Sequence, residues 1–479
     1  MFKHTTVKKS LILLVAALLA VAVLLSACGT QPFKPNFDAP KGETVTSNGG
    51  IAVKYGDWIY YVNGYESSAS AENTYVDTND APRIGSVVRI SVSKLAEILA
   101  VNDDNDLTSS QKTDKIEGLV RDNAEIVVPK IYFSANTTTA QFNGIYIFND
   151  RLYILTPNDK LTAGGNPQTD QSVLMSFDLN GDNAVSHFTF TSNSVQVKLY
   201  EKDNKVMATY LLDNQLHVLN VADGKDTQIT ADDETVSSVN FVEDGDRVFY
   251  INNDGAICQL VDGQTSEQVV VHNNEDWEVS YSISSVANTF VYYTVSYENN
   301  SSVNGTVLYY AEYSEATTLE GIEKESDYQR HVALNTANVS AKGWKENKVV
   351  IVRQTDSGYY GMYVITSVDG TETTCLLKPG FNSDSITINK IVGDDLYYTA
   401  GGVTYKKNLV TFDENKLGQA YGTALSTTPT GWALPDIVIV GEHTYVFTFG
   451  TGSVSVVEFD AEKKTNSTSA TLTLTANED

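Results

Sequence analysis

Oxygen-bearing side chains alternate along the segment 178–183 (Asp-Leu-Asn-Gly-Asp-Asn), a spacing that could place their ligands around a calcium ion. A calcium loop of this kind has glycine at its sixth position and a bidentate glutamate at its twelfth. Here Gly181 stands fourth and Thr189 twelfth, and the acidic run at 103–106 lacks ligands at the required spacing as well. We therefore predict a plain hairpin turn at 178–183 and no metal site.

Histidines that could act as bases or metal ligands are scattered along the chain. No pair has ligand spacing, and the chain lacks a Gly-x-Ser-x-Gly turn, a His-Glu-x-x-His helix and a phosphate-binding glycine loop. The sequence therefore indicates no catalytic residue and no resident cofactor, and the histidines are expected on strands or turns. Beyond the N-terminal segment they are His187, His217, His272, His331 and His443.

Three cysteines are present, and two of them are candidates for a disulfide. Cys258 and Cys375 lie in repeat units that are two apart, whereas a disulfide needs alpha carbons within about 4.4 to 6.8 Å. We predict two free, buried thiols there. Cys28 follows an apolar run, and its thiol is not expected to stay free.

The N-terminal segment has a positive start, an uncharged apolar stretch at 11–25 and the ending Leu-Ser-Ala-Cys at 25–28. Its apolar run of about 15 residues is short for a membrane-spanning helix, which needs roughly 20. The ending resembles the lipobox of bacterial lipoproteins. That resemblance implies a signal peptide at 1–27, cleavage before Cys28, and a diacylglyceryl group on the Cys28 sulfur with palmitate among its expected acyl chains.

Two acyl chains would hold the protein on a membrane without a spanning helix. The expected location is the extracytoplasmic face of the bacterial cell membrane or outer membrane, a choice that the sequence leaves open. Residues 28–48 form the predicted linker, and prolines at 32, 35 and 40 favour an extended spacer of up to roughly 40 Å.

The charge balance excludes one class of partner. The chain has 33 Lys and Arg against 60 Asp and Glu, a net charge of −27, and removal of Lys3, Lys8 and Lys9 with the signal peptide takes −27 to −30. Nucleic-acid binding depends on cationic neutralisation of phosphates. We predict no nucleic-acid partner, and membrane contact through the lipid alone.

From residue 49 to 479 the chain consists of short strands rich in Val, Ile, Tyr, Phe and Thr, broken by Asn, Asp and Gly turns. One element recurs, an acidic, amide or glycine turn followed by paired aromatic or aliphatic residues. Its copies lie at 56–61, 149–154, 204–210, 244–250, 288–293, 347–352, 393–398 and 441–446.

A second strand follows each copy and further strands flank the pair, giving units of roughly 40 to 60 residues, the range of β-propeller blades. We predict an all-β chain, a single β-propeller of eight four-stranded blades, with seven as the alternative because the copy at 204–210 is weak. Adjacent strand residues point to opposite faces, so Tyr60 and Tyr61, or Tyr397 and Tyr398, should pack against different neighbouring blades.

One insertion interrupts the first unit at about 93–124. Leu95, Ile98 and Leu99 have helical spacing, a polar run follows, and Ile116 and Leu119 continue the apolar pattern. We predict one or two short helices. Loops on a rigid scaffold commonly carry binding function, so this insertion is the preferred interaction site.

The paired-tyrosine strands, such as 59–62 and 396–399, resemble YWTD-type propellers of the low-density-lipoprotein-receptor class and related propellers of bacterial surface lipoproteins, with tyrosine at the tryptophan position. The resemblance implies architecture and no particular ligand. We expect a non-catalytic module that binds or scaffolds an envelope protein or glycan. The alternative is an envelope hydrolase or lyase with its site at the central channel.

Overall fold

Short strands separated by tight turns dominate the chain in a computed structural model. The structure describes residues 37–64, 84–129, 144–161, 163, 167–192, 195–232, 234–236, 239–241, 248–261, 265–270, 279–287, 290–297, 306–312, 329–330, 339–345, 348–354, 360–365, 373–377, 386–400, 403–410, 423–425, 436–441, 443–450, 452–459 and 468–474. Cys28 and the predicted signal peptide lie outside these residues, as do His272 and His331.

The described strands form eight antiparallel sheets, here sheets 1 to 8, in each of which the strands follow chain order. Sheet 1 has five strands: β1 (Val45–Thr46), β2 (Ala52–Tyr55), β3 (Trp58–Val62), β4 (Val87–Ser91) and β5 (Glu125–Val128). Sheet 2 has four: β6 (Tyr146–Phe148), β7 (Arg151–Leu161), β8 (Pro167–Asp178) and β9 (Val185–Phe190).

Sheets 3 to 8 have four strands each. They are β10 (Gln196–Lys202), β11 (Lys205–Leu212), β12 (Gln215–Asn220) and β13 (Lys225–Gln228); β14 (Val239–Phe241), β15 (Val248–Ile251), β16 (Ile257–Val261) and β17 (Thr265–Val270); β18 (Val279–Ala287), β19 (Phe290–Tyr297), β20 (Thr306–Glu312) and β21 (Gln329–Arg330); β22 (Val339–Gly343), β23 (Val349–Gln354), β24 (Tyr360–Ile365) and β25 (Thr373–Leu377); β26 (Ile386–Val392), β27 (Asp395–Ala400), β28 (Val403–Asn408) and β29 (Thr423–Leu425); and β30 (Asp436–Val440), β31 (His443–Gly450), β32 (Ser453–Phe459) and β33 (Thr468–Thr471).

Two-residue turns with left-handed backbone explain why Asn, Asp and Gly precede the repeated strand. Asp203 and Asn204 have φ of 51° and 59° between β10 and β11, and Asp213 and Asn214 have 50° and 62° between β11 and β12. Asn and Asp tolerate this conformation better than other side chains, and it matches the twist of a hairpin. The copy at 204–210, the weakest in sequence, thus belongs to a complete four-stranded sheet.

Consecutive sheets share apolar cores. One cluster joins sheets 2 and 3 through Tyr153 and Tyr210, the next joins sheets 3 and 4, and another joins sheets 6 and 7 through Val350 and Tyr398. Strand β18 contacts both β14 and β22, which links sheets 4, 5 and 6. Sheets 7 and 8 meet at Tyr397 and Val446. Each sheet therefore contacts the next one along the chain.

The tyrosine pairs divide between two neighbours, as predicted. Tyr60 donates a hydrogen bond to the carbonyl oxygen of Leu179 beside sheet 2, at 3.1 Å, whereas Tyr61 donates to Leu472 after sheet 8, at 3.0 Å. Both tyrosines are fully buried. Burial raises the pKa of Tyr60 to about 12, although the Arg89 guanidinium opposes the rise, and burial raises the pKa of Tyr61 as well. The pair serves sheet packing.

Sheet 8 also contacts sheet 1, so the two ends of the described chain meet. Strand β2 lies against β30, the Ser47 hydroxyl donates to the Ile437 carbonyl at 2.7 Å, and the fully buried side chain of Asn63 bonds to Leu474. Strand β33 pairs with β32 as the outer strand of sheet 8, and residues 472–474 continue from it toward sheet 1.

The predicted boundary of the linker is wrong at its end. Val45 and Thr46, within the range 28–48 assigned to the linker, form β1 and pair with β2, so sheet 1 has five strands and not the predicted four. Upstream, Phe37 stacks on the guanidinium of Arg89, whose other face covers Trp58, at 3.6 and 3.9 Å from the ring centroids. Main-chain pairing and this stacking fasten 37–46 to the sheet.

Two helices occupy the predicted insertion between β4 and β5: α1 (Val92–Ala100) and α2 (Ser109–Asn123), with a 3₁₀ turn, Val101–Asp103, after α1. Ser91 caps α1, and a capping box closes the start of α2 between Thr108 and Gln111. Among the described residues, neither these helices nor any other is long and apolar enough to cross a membrane.

Candidate functional site

The predicted interaction site, the helical insertion, has its apolar face covered. Leu95, Ile98 and Leu99 are buried in one cluster with Leu472 and Leu474 from the end of the chain, and α1 and α2 both pack on β33. A face that is already buried against the protein's own chain offers no apolar surface to a partner. The insertion therefore fastens sheet 8 to sheet 1, which sequence reasoning missed because these residues are far apart in the chain.

The outward side of the insertion is polar and carries both signs of charge. Lys94 and Glu97 form an exposed ion pair of 2.7 Å on α1, and Lys115 on α2 lies 3.6 Å from Asp104. Exposed pairs of this kind contribute little to stability and are screened by salt. The outward surface of the insertion is therefore charged and hydrated, and its geometry does not indicate a ligand.

The described histidines lie on three different sheets and are not brought together. Each stacks on a tyrosine of its own sheet: His187 on Tyr153, with the ring centroids 5.8 Å apart, His217 on Tyr210 at 4.8 Å, and His443 on Tyr445 at 6.2 Å. His217 and His443 also contact the carboxylates of Asp226 and Glu458 on neighbouring strands, at 3.0 and 2.5 Å. These are cross-strand pairs, and they confirm that the three histidines are strand residues.

The one Ser–His contact in the described chain joins Ser176 and His187, with 2.7 Å between Oγ and Nε2. Arg151 donates to the same hydroxyl oxygen through Nε and Nη2, at 3.1 and 3.0 Å. Burial lowers the pKa of His187 and the Arg151 charge adds to this effect, while a hydrogen bond to the Val221 backbone opposes it. Ser176 has no exposed surface, so no substrate reaches its oxygen.

The segment 178–183 forms the turn between β8 and β9, as predicted. The Gly181 N–H donates to the Asp178 carbonyl at 2.7 Å. One carboxylate oxygen of Asp178 accepts from Arg151 and the other from Asn183, both at 2.6 Å. The carboxylate that would lead a calcium loop is therefore engaged by donors of its own sheet. Within the described ranges, no three His, Cys, Asp or Glu side chains are placed to share a metal ion.

Cys258 on β16 is buried and forms no disulfide, as predicted. Cys375 lies on β25 of sheet 6, paired with Tyr363. The two cysteines thus occupy sheets 4 and 6, in agreement with the repeat-based assignment to units two apart.

Polar groups that sequence reasoning did not single out lie on the leading strands, meaning β2 of sheet 1 and the first strand of every later sheet. Leading strands β14, β18, β22 and β26 lie against one another in succession, and β2 lies against β6 and β30. On β18 Ser280 and Ser282 are exposed, and on β26 Thr387 is exposed. Ammonium groups come from Lys342 on β22 and Lys390 on β26.

Asn389 stands out on β26 because it occupies a bulge. Ile388 pairs with Tyr398 and Lys390 pairs with Tyr397, so Asn389 is the extra residue. It is 7% exposed; Nδ2 donates to the Thr399 hydroxyl at 2.8 Å, and Oδ1 has no hydrogen-bond partner among the described residues. An acceptor left in this state costs about 1 to 3 kcal/mol.

The ammonium of Lys342 reaches across from sheet 6 to the carbonyl oxygen of Asn389, at 3.4 Å. A similar bulge occurs on β18, between Ile283 and Ser285, opposite the tyrosines of β19. Bulges commonly redirect side chains next to binding sites. The bulge on β18, Lys342 on β22 and the bulge on β26 lie on three consecutive leading strands. The surface formed by these three strands, here called the wall, is the candidate site.

A signal for this wall is present in the sequence. Residues 339–410 carry 8 Lys and Arg and 7 Asp and Glu, a net charge of +1, while the rest of the chain has 25 against 53, or −28. Residues 339–410, which form sheet 6 and strands β26 to β28 of sheet 7, are thus close to neutral within a strongly acidic protein. A window of net charge along the sequence would have found it.

No protein-family model and no curated protein sequence matches the chain. Solved structures of similar backbone course include puromycin hydrolase (10% identity, TM-score 0.42, 70% of this chain and 53% of that one). Two others are Porphyromonas gingivalis dipeptidyl peptidase 4 (12%, 0.42, 68% and 52%) and YCF48 bound to D1 peptide (9%, 0.38, 69% and 95%). The chain spans about half the length of the first two. At such TM-scores we draw no argument from them.

Proposed function

We propose that this chain is a lipoprotein held on the extracytoplasmic face of a bacterial membrane by acyl groups on Cys28. In this proposal its domain is an eight-bladed β-propeller of degenerate YWTD type that binds or scaffolds a protein or glycan of the envelope without chemical turnover. The lipobox at 25–28 supports the anchor. The proposed ring is supported by eight sheets that contact one another in chain order and by the contact of sheet 8 with sheet 1.

The observation that carries the binding role is the chemistry of the leading strands. Ser280, Ser282 and Thr387 expose hydroxyl groups on these strands, and Lys342 brings an ammonium group. Hydroxyl and ammonium groups form hydrogen bonds with a ligand, whereas a hydrolase or lyase at the same place would gather carboxylates or a base around the reacting bond. This set of groups supports a binder over the alternative of an envelope hydrolase or lyase.

The test of the anchor is metabolic labelling with palmitate. Wild-type protein should take up label and sediment with membranes, and Cys28→Ala should do neither. Cys258→Ala is the matched control, because its thiol is buried and should not be acylated. Equal labelling of wild type and Cys28→Ala would remove the anchor from the proposal.

The test of the binding role is crosslinking of a tagged, full-length copy in live cells, with Cys28→Ala as the mislocalised control. The expected result is one envelope partner recovered in near-equal amount with wild type and lost with Cys28→Ala. Failure to recover any reproducible partner would contradict a scaffolding role and would favour the enzymatic alternative.

A further inference from the structure

We propose that the protein faces the lipid bilayer with one particular edge of sheets 1 and 2, here called the turn edge, which carries the turns at 56–57, 149–150 and 178–183. This inference rests on the proposed function, because it requires the acyl anchor on Cys28. It adds to that function the surface that is turned toward the membrane. Three observations carry it: the fastening of residues 37–44, the short reach of the anchor, and the charge of the edge.

The three turns lie together because sheets 1 and 2 bond to each other there. The Tyr55 hydroxyl, next to the turn of sheet 1, donates to a carboxylate oxygen of Asp150 in the first turn of sheet 2. Arg151 follows that turn and pairs with Asp178, where the third turn begins. The turn edge is therefore one continuous surface across the two sheets.

Residues 37–44 run along the turn edge and are bonded to it at two places. The carbonyl oxygen of Phe37 accepts from the Asn180 amide at 3.2 Å, and the Phe37 ring covers a buried guanidinium of sheet 1. Further along, the Gly42 N–H donates to both carboxylate oxygens of Asp150, at 3.1 and 3.2 Å. The described chain therefore begins at the turn edge and is fixed there.

The reach of the anchor decides which edge can approach a bilayer. Phe37 stands nine positions after Cys28, and a chain of that length spans only about 30 Å even when it is fully extended. Strand β7, with 11 residues, covers about 36 Å between the turn edge and the opposite edge of sheet 2. Acyl groups on Cys28 therefore cannot enter a bilayer that lies beyond the opposite edge, whereas a bilayer beside the turn edge is within their reach.

The charge of the turn edge opposes direct contact with lipid headgroups. The insertion at 92–124 starts at this edge, where the Val92 N–H donates to the Asp57 carbonyl at 2.9 Å. The insertion has 7 Asp and Glu against 4 Lys and Arg, residues 37–44 have 2 against 1, and the turn at 178–183 has 2 against none. Anionic headgroups repel such an edge. The acyl groups therefore hold the turn edge beside the bilayer across a layer of water.

The test is energy transfer from a donor dye on the lipidated protein to acceptor dyes on the headgroups of phosphatidylcholine vesicles. The donor is placed on Ala184→Cys or on Thr191→Cys. These two exposed residues flank the ends of β9, about 23 Å apart, the first at the turn edge and the second at the opposite edge. Protein without an introduced cysteine gives the background labelling. We expect stronger transfer from position 184, and equal transfer or stronger transfer from position 191 would overturn the inference.

A longer tether tests whether the reach of the anchor sets this orientation. Insertion of about 20 Gly and Ser residues after Thr30 extends the reach to about 100 Å, so the domain can turn over. The difference in transfer between the two positions should then fall by about half or more. The same residues appended after Asp479 are the matched control and should leave the difference unchanged. A full difference in spite of the longer tether would contradict the argument from reach.

Vesicles of phosphatidylglycerol test the repulsion. Transfer from position 184 should be weaker on these anionic vesicles than on phosphatidylcholine at low salt, and added salt should remove the difference, because the screening length falls to about 8 Å at 0.15 M. Stronger transfer on the anionic vesicles would show that the edge adheres to the headgroups and would contradict the layer of water.

The inference and the proposed function can fail separately. If the acylated protein sediments with the vesicles and the two positions transfer equally, the anchor on Cys28 stands and this orientation does not. If the protein does not sediment with the vesicles, the anchor fails and the orientation fails with it.

Discussion

Asn63 and Leu474, which lie 411 positions apart in the chain, are bonded like paired strand residues: the Asn63 amide nitrogen donates to the Leu474 carbonyl at 2.9 Å, and the Leu474 N–H donates to the Asn63 amide oxygen at 2.8 Å. A side chain thus takes the place of a backbone partner. Because Asn63 is fully buried, water cannot replace these bonds. They join the end of the chain to sheet 1.

Asn63→Ala should therefore destabilise the protein strongly. It removes two buried hydrogen bonds and leaves the N–H and carbonyl of Leu474 without partners, for an expected loss of about 3 kcal/mol. Urea unfolding followed by tyrosine and tryptophan fluorescence measures it. Lys225→Ala, on an exposed edge of sheet 3, is the control and should change the free energy of unfolding by less than about 0.5 kcal/mol. A loss of unfolding free energy no larger than in the control would show that the bonds between Asn63 and Leu474 do not stabilise the protein.

Deletion of 469–479 should open the contact between sheets 8 and 1. It removes most of β33 together with Leu472 and Leu474, and so uncovers the apolar side chains of α1, among them Leu95 and Ile98. An exposed strand edge beside an apolar patch promotes aggregation. Light scattering during thermal melting is the measurement, with full-length protein alongside. A truncated protein that melts as an unchanged monomer would contradict this prediction.

Phe37→Ala should loosen the N-terminal segment without unfolding the sheets. Phe37 covers one face of the buried Arg89 guanidinium, and its carbonyl accepts from Asn180 at 3.2 Å. Losing a desolvated cation–π contact costs about 1 to 2 kcal/mol, so local opening should become about tenfold more frequent. Trypsin cleavage after the exposed Lys41 reports that opening. Val410→Ala, at an exposed site just after β28, is the control, and equal cleavage rates in the two variants would contradict the prediction.

Stability should fall at high pH because buried tyrosines resist ionisation. Burial raises the pKa of Tyr60, Tyr146 and Tyr445 to about 12, against 10 in the unfolded chain, with Glu458 adding to the rise at Tyr445. For a raised pKa the stabilisation is complete below pH 10 and is lost as the pH rises from 10 toward 12. Absorbance at about 295 nm should show one group of tyrosines titrating near pH 10 and the rest only with cooperative unfolding. Smooth titration of all tyrosines near pH 10 would contradict the burial.

The sheets were predictable from the sequence because their information is local. Each of the eight repeat copies falls on its own sheet: the turn at 149–150 leads into β7, and the turn at 393–394 into β27. The two helices followed from apolar spacing at Leu95, Ile98 and Leu99. Hairpin turns and helical periodicity are recognised from about ten consecutive residues, because local backbone preferences determine these elements.

Partners remote in sequence were not predictable. That α1 packs on β33 and that Asn63 bonds to Leu474 depend on how the sheets come together, and no local pattern expresses this. Strand β1 was missed for a related reason: two residues beside a proline-containing segment carry no periodicity, and pairing with β2 alone makes them a strand. The wall at Lys342 and Asn389 was missed because a bulge depends on the partner strand.

The join between 63 and 474 has a consequence for the newly made chain. Synthesis runs from the N-terminus, so sheet 1 forms before residues 468–474 are made, and the apolar faces of α1 and α2 stay uncovered until that segment arrives. During that interval the uncovered helices are open to proteases, and the bonds between Asn63 and Leu474 end it. Protease resistance of α1 and α2 in a newly made chain therefore reports that sheets 1 and 8 have joined.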